Sequence, residues 1–371
     1  MPQSTYNNRP SPFLKTSEEE WNSWIWQHQN RLKKESDFDW IDLSAEEKQG
    51  FENLGDFRVA VTPHYAALFE EGNPECPLRK QALPHIAESS IESYELADPL
   101  AEESHMPVPG ITHRYPDRVL FYVSHHCPVY CRHCTRKRKV SDPLSAASSM
   151  QIEGSLKYIR ETKSVRDVLL SGGDPLTLSD EKLEAILSAL RKIEHVEVIR
   201  LGTRNPVTLP QRITENLADI LKRYGPIYVH THFNHVNEIS PESRLALTRL
   251  RNAGTVLGNQ MVLLKGINDS VESVMELNRE LLKNGCRPYY MLQCDFAQGI
   301  SHFRTPLQKG IDIIDALRGR IGGMGIPDFV VDLPGGGGKI ELVPDYIQSR
   351  EGNHIVFRNF QGQSFPYVDV D

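Results

Sequence analysis

"VRDVLLSGGDPLTLSDEKLEAILSALRKI", residues 165–193, is the stretch that decides the fold. A short apolar run reads as a buried strand, two glycines and a polar turn end it, and a longer amphipathic segment reads as a helix. The same design recurs around it. "RVLFYVS" (118–124) leads through a cysteine-rich loop to a helical stretch near 146–161. Downstream, "VEVIRLGTR" is followed by the helix "QRITENLADILKRYG", "PIYVHTHF" by "SPESRLALTRLRNAG", "VLGNQMVLLKG" by "SVESVMELNRELLKNG", and "RPYYMLQCD" by "PLQKGIDIIDALRGRI". Short apolar strands alternating with amphipathic helices imply a parallel sheet with helices outside. Six such units predict an α/β fold built as a partial (β/α)6 barrel, whose functional groups sit on loops after the strands. The unusual polar clusters fall there: the cysteine loop, "SGGDP", "GTR", "HTHFNH" and "QCD".

Around that barrel, expected over 116–330, the sequence predicts an N-terminal helical region with a linker (1–115) and a short C-terminal segment (331–371). The first dozen residues are expected to be frayed. Ser17 and Glu20 form a capping-box pattern ahead of "WNSWIWQHQNRLK", which reads as one amphipathic helix. "ESSIESYELADPLAEESHMPVPG" (88–110) is acidic, Pro-containing and aperiodic, so it reads as a linker or a wrapping segment.

The 371 residues are 39% hydrophobic and 25% charged, enough to bury a large core. A net charge of −7 argues against a general nucleic-acid binder. The opening residues lack the layout of a secretion signal, and no apolar run approaches membrane-spanning length, so a cytoplasmic location is expected. In a reducing compartment, clustered cysteines favour metal binding or catalysis over disulfides. Cys76, Cys286 and Cys294 stand singly and are expected to be buried thiols.

The other three cysteines fall in "HHCPVYCRHCTRKRKV" (125–140), spaced Cys127-x3-Cys131-x2-Cys134. A cubane cluster has four irons held by thiolates, and three ligands on one loop leave one iron open. A zinc site, a redox dithiol and plain core thiols remain as alternatives, although His133, the nearest fourth zinc ligand, lies inside the loop where geometry is poor. In "SGGDP", Gly172 and Gly173 let the backbone approach a ligand and Asp174 can accept from an ammonium; an ordinary strand-to-helix turn explains them equally. "VVDLPGGGGKIELVP" (330–344) sets four glycines before Lys339, either as a hinge or as backbone that approaches a phosphate beside a Schiff-base lysine. "ITHRYPDRVLF" offers Arg114, Tyr115 and Arg118 just before the first barrel strand.

The cysteine spacing after a first barrel strand resembles the radical S-adenosylmethionine (SAM) superfamily. "HRYPDRVLF", "SGGDPL", "THFNH", "LGNQ", "RPYY", "CD", "HFRTP" and "PGGGGK", in this order from about residue 20 to about 350, resemble the lysine 2,3-aminomutase family. That resemblance implies a [4Fe–4S] cluster on Cys127, Cys131 and Cys134, and a pyridoxal phosphate (PLP) lysine at Lys339, with Tyr115 and Arg118 in the PLP-contacting turn. It implies SAM contacts from Gly172, Gly173, Asp174 and, to the adenosyl group, Gln260. Arg136 is expected to grip the substrate carboxylate, and Asp295 and Asp332 the distant ammonium. Glutamate-specific relatives carry a lysine and an asparagine at the last two positions. The implied reaction is a radical 1,2-amino migration converting L-lysine to β-lysine, started by a SAM-derived 5′-deoxyadenosyl radical. Arginine is the rival substrate, since a guanidinium also suits two carboxylates. A one-electron reductant such as flavodoxin or ferredoxin and a homo-oligomer are further expectations. Clostridial members carry a C-terminal cysteine cluster for a structural zinc; here the chain reaches Asp371 without one and Ser270 occupies the barrel position, so no zinc is expected.

Overall fold

The computed structural model describes residues 4–140 and 147–370. Its centre is a nine-stranded sheet whose spatial order equals its chain order. The strands are β1 (Ile111–Tyr115), β2 (Arg118–Ser124), β3 (Asp167–Gly172), β4 (Val198–Gly202), β5 (Ile227–Thr231), β6 (Val256–Leu263), β7 (Arg287–Gln293), β8 (Asp328–Leu333) and β9 (Gly338–Glu341). β2 through β8 are parallel, and β1 and β9 are antiparallel edges. The six strand–helix units are therefore present, extended by an edge strand at the start and a β8–β9 hairpin at the end.

Five short helices precede the sheet: α1 (Glu18–Asn22), α2 (Trp24–Gln29), α3 (Ala45–Glu52), α4 (Pro63–Ala66) and α5 (Pro77–Ala82). Seven follow within it: α6 (Ser149–Glu161), α7 (Asp180–Arg191), α8 (Asn205–Thr208), α9 (Glu215–Arg223), α10 (Pro241–Asn252), α11 (Val271–Lys283) and α12 (Leu307–Leu317). The Ser17/Glu20 capping box forms as expected. The single helix expected after it is instead two, because Ser23 adopts extended backbone and caps α2 with its side chain. The opening residues are also not frayed from Ser4 on. Ser4 Oγ donates to Glu242 at 2.6 Å, and the buried Thr5 hydroxyl accepts from Trp21 Nε1 at 3.2 Å.

Strand alternation explains how the sheet makes a site. On β4 and β5, Ile199, Leu201, Ile227 and Val229 are fully buried, while Arg200, Tyr228 and His230 between them are half-buried. The buried set shares one core with Leu187, Leu221, Leu247 and Leu281 of the outer helices. The other face, which includes His230, Gln260 and Tyr290, is the barrel interior and stays partly accessible. N-terminal residues Leu32, Phe38, Val61 and Leu78 belong to that same core. Beyond β9, an antiparallel sheet of β10 (Ile347–Glu351), β11 (His354–Arg358) and β12 (Ser364–Val368) lies largely exposed.

Candidate active site

The cysteine loop begins where β2 ends, and the glycine turn after β3 is pressed against its start. Gly173 N donates to Ser124 O at 2.6 Å and Asp174 N to His126 O at 2.8 Å. A Cβ on Gly172 would stand 2.4 Å from Ser124 O, and its φ of +109° is one that other residues rarely adopt. A Cβ on Gly173 would stand 2.5 Å from His126 O. Both glycines are thus required by close packing of two loops. Asp174 is buried and accepts from Thr203 Oγ1 at 2.8 and 2.9 Å, Arg204 N at 2.7 Å and Leu176 N at 3.0 Å. Burial raises its pKa against those bonds. In this structure Asp174 braces the β3 turn to the β4 turn.

That brace positions an arginine to which the sequence analysis assigns no role. Arg204, buried, donates through Nη1 to Cys131 Sγ at 2.7 Å and through Nη2 to Glu238 Oε1 at 2.6 Å and Gln81 Oε1 at 2.6 Å. Burial opposes its charge, but Cys131, Tyr65 and Glu238 outweigh that and raise its pKa. On the other side of the loop, Arg31 Nη1 donates to Cys127 O at 2.9 Å. Burial pushes the Cys134 thiol up to about 11 and Cys127 well above its ordinary value. Thiols held this way would bind a cluster as thiolates, releasing their protons to solvent as the iron–sulfur bonds form. Among the described residues, no three of His, Cys, Asp or Glu converge on a point that a single metal ion could fill. The "GTR" at the carboxyl edge of β4 is the only sign of Arg204 in the sequence.

The second half of the site lies where the first and last strands of the sheet meet. Asp332 on β8 and Lys339 on β9 are cross-strand partners, and Lys339 Nζ forms an ion pair with Asp332 Oδ2. Gly335, Gly336 and Gly338 in and after the intervening turn have φ of 70°, 86° and 86°. Tyr115 on β1 accepts from Lys339 N at 2.9 Å, and Arg118 stacks over the Tyr115 ring at 4.0 Å. Arg114 Nη1 lies 3.8 Å from Asp332 Oδ1, and its Nε is buried without a partner among the described residues. A cavity of about 190 Å³ is lined by Asp295, Phe296, Arg304, Asp332 and Leu333. Asp295 is pushed up to about 7 by burial first and by Asp332 second, while Lys339 and Arg136 pull it down. Asp295, Asp332, Lys339 and Arg136 therefore share one electrostatic neighbourhood. Gln260 stands apart from them on the barrel interior, 3.3 Å from His230 Nδ1 through its amide nitrogen.

Arg136 does not stand free. Its Nε donates to Glu102 Oε1 at 2.8 Å, and Nη2 lies 2.7 Å from the same oxygen. Burial lowers the Arg136 pKa, but Glu102 and Tyr122 more than reverse it. Glu102 belongs to the acidic stretch 88–110, and of its two readings, linker or wrapping segment, the structure shows the second. Leu96 bridges to Ala297, Glu95 accepts from Gly299 N at 3.0 Å, and Pro99 O accepts from Gly335 N at 3.1 Å, so the stretch is a strap across the site. Cys76, Cys286 and Cys294 are buried free thiols, as expected.

Comparison with known proteins agrees with this geometry. The radical SAM superfamily model matches residues 121–278, the span from β2 through most of α11. The barrel and its cysteine loop are thus those of a radical SAM protein. The model described as lysine-2,3-aminomutase matches residues 314–371. An L-lysine 2,3-aminomutase of Fusobacterium nucleatum is 49% identical over 370 residues, 99% of this chain and 87% of that protein. An L-lysine 2,3-aminomutase of Clostridium subterminale is 48% identical over 98% of this chain and 88% of that protein. A glutamate 2,3-aminomutase of Clostridioides difficile is 43% identical over 96% of this chain and 86% of that protein. The chain belongs to the lysine 2,3-aminomutase family. Membership implies an isomerase with a [4Fe–4S] cluster, SAM and PLP. The residues present fit these groups. Three thiols on one loop suit the cluster, and an amine beside glycine backbone with Arg114 and Arg118 near it suits a phosphorylated aldehyde.

Proposed function

We propose that this chain is an L-lysine 2,3-aminomutase that converts L-lysine to β-lysine (3,6-diaminohexanoate). The observation that carries the reading is the placement of two carboxylates, Asp295 and Asp332, beside Lys339 and within the field of Arg136. Cys127, Cys131 and Cys134 would hold the cluster, with Gly172, Gly173 and Gln260 toward SAM. Lys339, Tyr115, Arg114 and Arg118 would hold PLP. When bound, these groups supply an adenosyl radical and a conjugated ring that spreads spin while nitrogen changes carbon.

The chain's own residues supply position. Arg136 takes the α-carboxylate by charge-assisted hydrogen bonds, and the aspartates take the ε-ammonium at the other end. Fixing both ends of a flexible amino acid converts an improbable encounter into a held geometry. Asp332 is engaged by Lys339 Nζ in the chain alone. Were that amine to serve the cofactor, the carboxylate would keep Arg114, 3.8 Å away, and be open to an incoming ammonium. A glutamate side chain would face two like charges and leave them unpaired, which opposes its binding. Electrons come from a small one-electron carrier such as flavodoxin or ferredoxin, and the working form is a homo-oligomer.

The test is anaerobic turnover of reconstituted enzyme on L-lysine, L-arginine and L-glutamate, with products identified and SAM measured. β-Lysine formed without net SAM loss is expected. Preference for arginine, or stoichiometric release of 5′-deoxyadenosine, would overturn the assignment.

A further inference from the structure

One carboxylate in the site grips neither substrate nor cofactor. Glu102 is 3% exposed and sits on the substrate-binding arginine, not on the surface. We infer that Glu102 is a positioning residue: it occupies the Nε–Nη2 edge of Arg136 permanently and so fixes which part of the guanidinium meets the substrate carboxylate. The inference deepens the proposed function and rests on the lysine reading of the site.

The geometry separates this role from that of a placeholder that substrate would displace. Glu102 sits on a backbone tied by hydrogen bonds, so substrate could expel its carboxylate only by rotating the side chain of a residue that is 3% exposed out of a buried pair. The Glu102 N–H donates to Asp98 Oδ1 at 3.1 Å, and its carbonyl accepts from the Thr112 hydroxyl at 3.4 Å. The segment around it is tied down on both sides. Asp98 pairs with Arg138 at 3.0 Å, Glu103 with Arg138 and Lys139 at 3.4 Å each, and Leu100 O accepts from Arg114 Nη2. Expelling the carboxylate would leave a buried guanidinium to be repaired by the substrate alone, with no gain in the number of charge pairs.

Both bonds from Arg136 to Glu102 use its Nε–Nη2 edge and leave Nη1 outside the pair. A guanidinium has five donors in a rigid fork, so anchoring one edge orients the rest. The strap that carries Glu102 also holds Gly335 of the lysine turn through Pro99 and touches Arg114 through Leu100. Residues 98–103 thus set the carboxylate grip and the cofactor turn relative to each other. Glu102 also adds a third negative charge near Asp295, whose pKa it raises.

The experiment compares wild-type holoenzyme with Glu102→Gln, Glu102→Asp and the same changes in an Arg136→Lys background. Anaerobic L-lysine binding is measured directly by calorimetry, alongside KM, kcat and the inhibition constant of 1,5-diaminopentane, which has no carboxylate. E102Q is expected to raise the lysine Kd and KM by about tenfold, the size of one charge-assisted hydrogen bond pulled out of alignment. E102D, which keeps the charge a methylene farther back, is expected to fall between. The diaminopentane constant should stay within about twofold, and E102Q should add nothing to R136K. A lysine Kd that changes by less than about threefold, or that falls, overturns the inference, a fall meaning that Glu102 competes with substrate. Should E102Q lose iron or pyridoxal, E102D and its double mutant carry the same test. A wild type that binds no lysine refutes the proposed function; one that binds lysine, with E102Q unaltered, refutes this inference alone.

Discussion

Asp295 gives the site a pH signature. With a folded pKa of about 7 and an unfolded value near 3.8, it takes up a proton on folding between those limits. Ammonium binding needs the carboxylate, so below about pH 7 lysine must displace a proton to bind. The lysine Kd is expected to rise about tenfold per pH unit below 7, and Asp295→Asn should flatten that slope while weakening binding at pH 8. The stability sign is opposite. The folded state binds the extra proton, so stability contributed by this group falls as pH rises from about 4 to about 7. D295N is therefore expected to be more resistant to urea than wild type at pH 8, by on the order of 1–3 kcal/mol, with the gap closing toward pH 4. A constant gap would show that burial does not raise the Asp295 pKa. Lys339→Arg, which keeps the charge on Asp332 but forms no Schiff base, should fold and bind iron normally while losing borohydride-trapped pyridoxal and at least about a thousandfold in turnover. Retained trapping at another lysine would move the anchor elsewhere.

At the scale of elements, the packed turns after β2 and β3 form one unit. Gly172→Ala puts a Cβ 2.4 Å from Ser124 O at a φ of +109°. The expected cost is about 1–3 kcal/mol, with loss of iron after reconstitution exceeding loss of helix, as followed by iron assay and far-UV dichroism. The six strand–helix units are legible in the sequence because each pairs a short strand rich in apolar residues with a longer amphipathic helix. The elements that the sequence hides lack those signals. β1 carries the polar run His113, Arg114 and Tyr115, β9 is four residues long, and β10 is exposed at every position. Ser23 breaks an expected helix because its hydroxyl caps a new one, a choice that periodicity does not register.

At the scale of the whole molecule, the N-terminal region completes the site from a distance. Glu238 is fully buried and accepts from Arg204, Tyr65 OH at 2.9 Å, Gln81 Nε2 at 3.1 Å and Asn234 N at 2.6 Å. Glu238→Gln leaves the buried Arg204 charge uncompensated, and denaturation should report a loss of about 3–5 kcal/mol. A loss below about 1 kcal/mol would show that the network is not what joins the two regions. These partners, like Glu102 on Arg136, are invisible in the sequence because they meet across loops and wrapped segments, where no period links them. The residues with chemical motifs are legible; those that hold them in place are not.

Because neighbouring strands are neighbours in the chain, a ribosome can lay the sheet down in order of synthesis. Tyr115 waits at one border while the opposite border, with Lys339, emerges more than two hundred residues later. The loop carrying Cys127, Cys131 and Cys134 is thus synthesised well before the seam can close, so under the proposed assignment the residues for the inorganic group precede the amine that would anchor the vitamin.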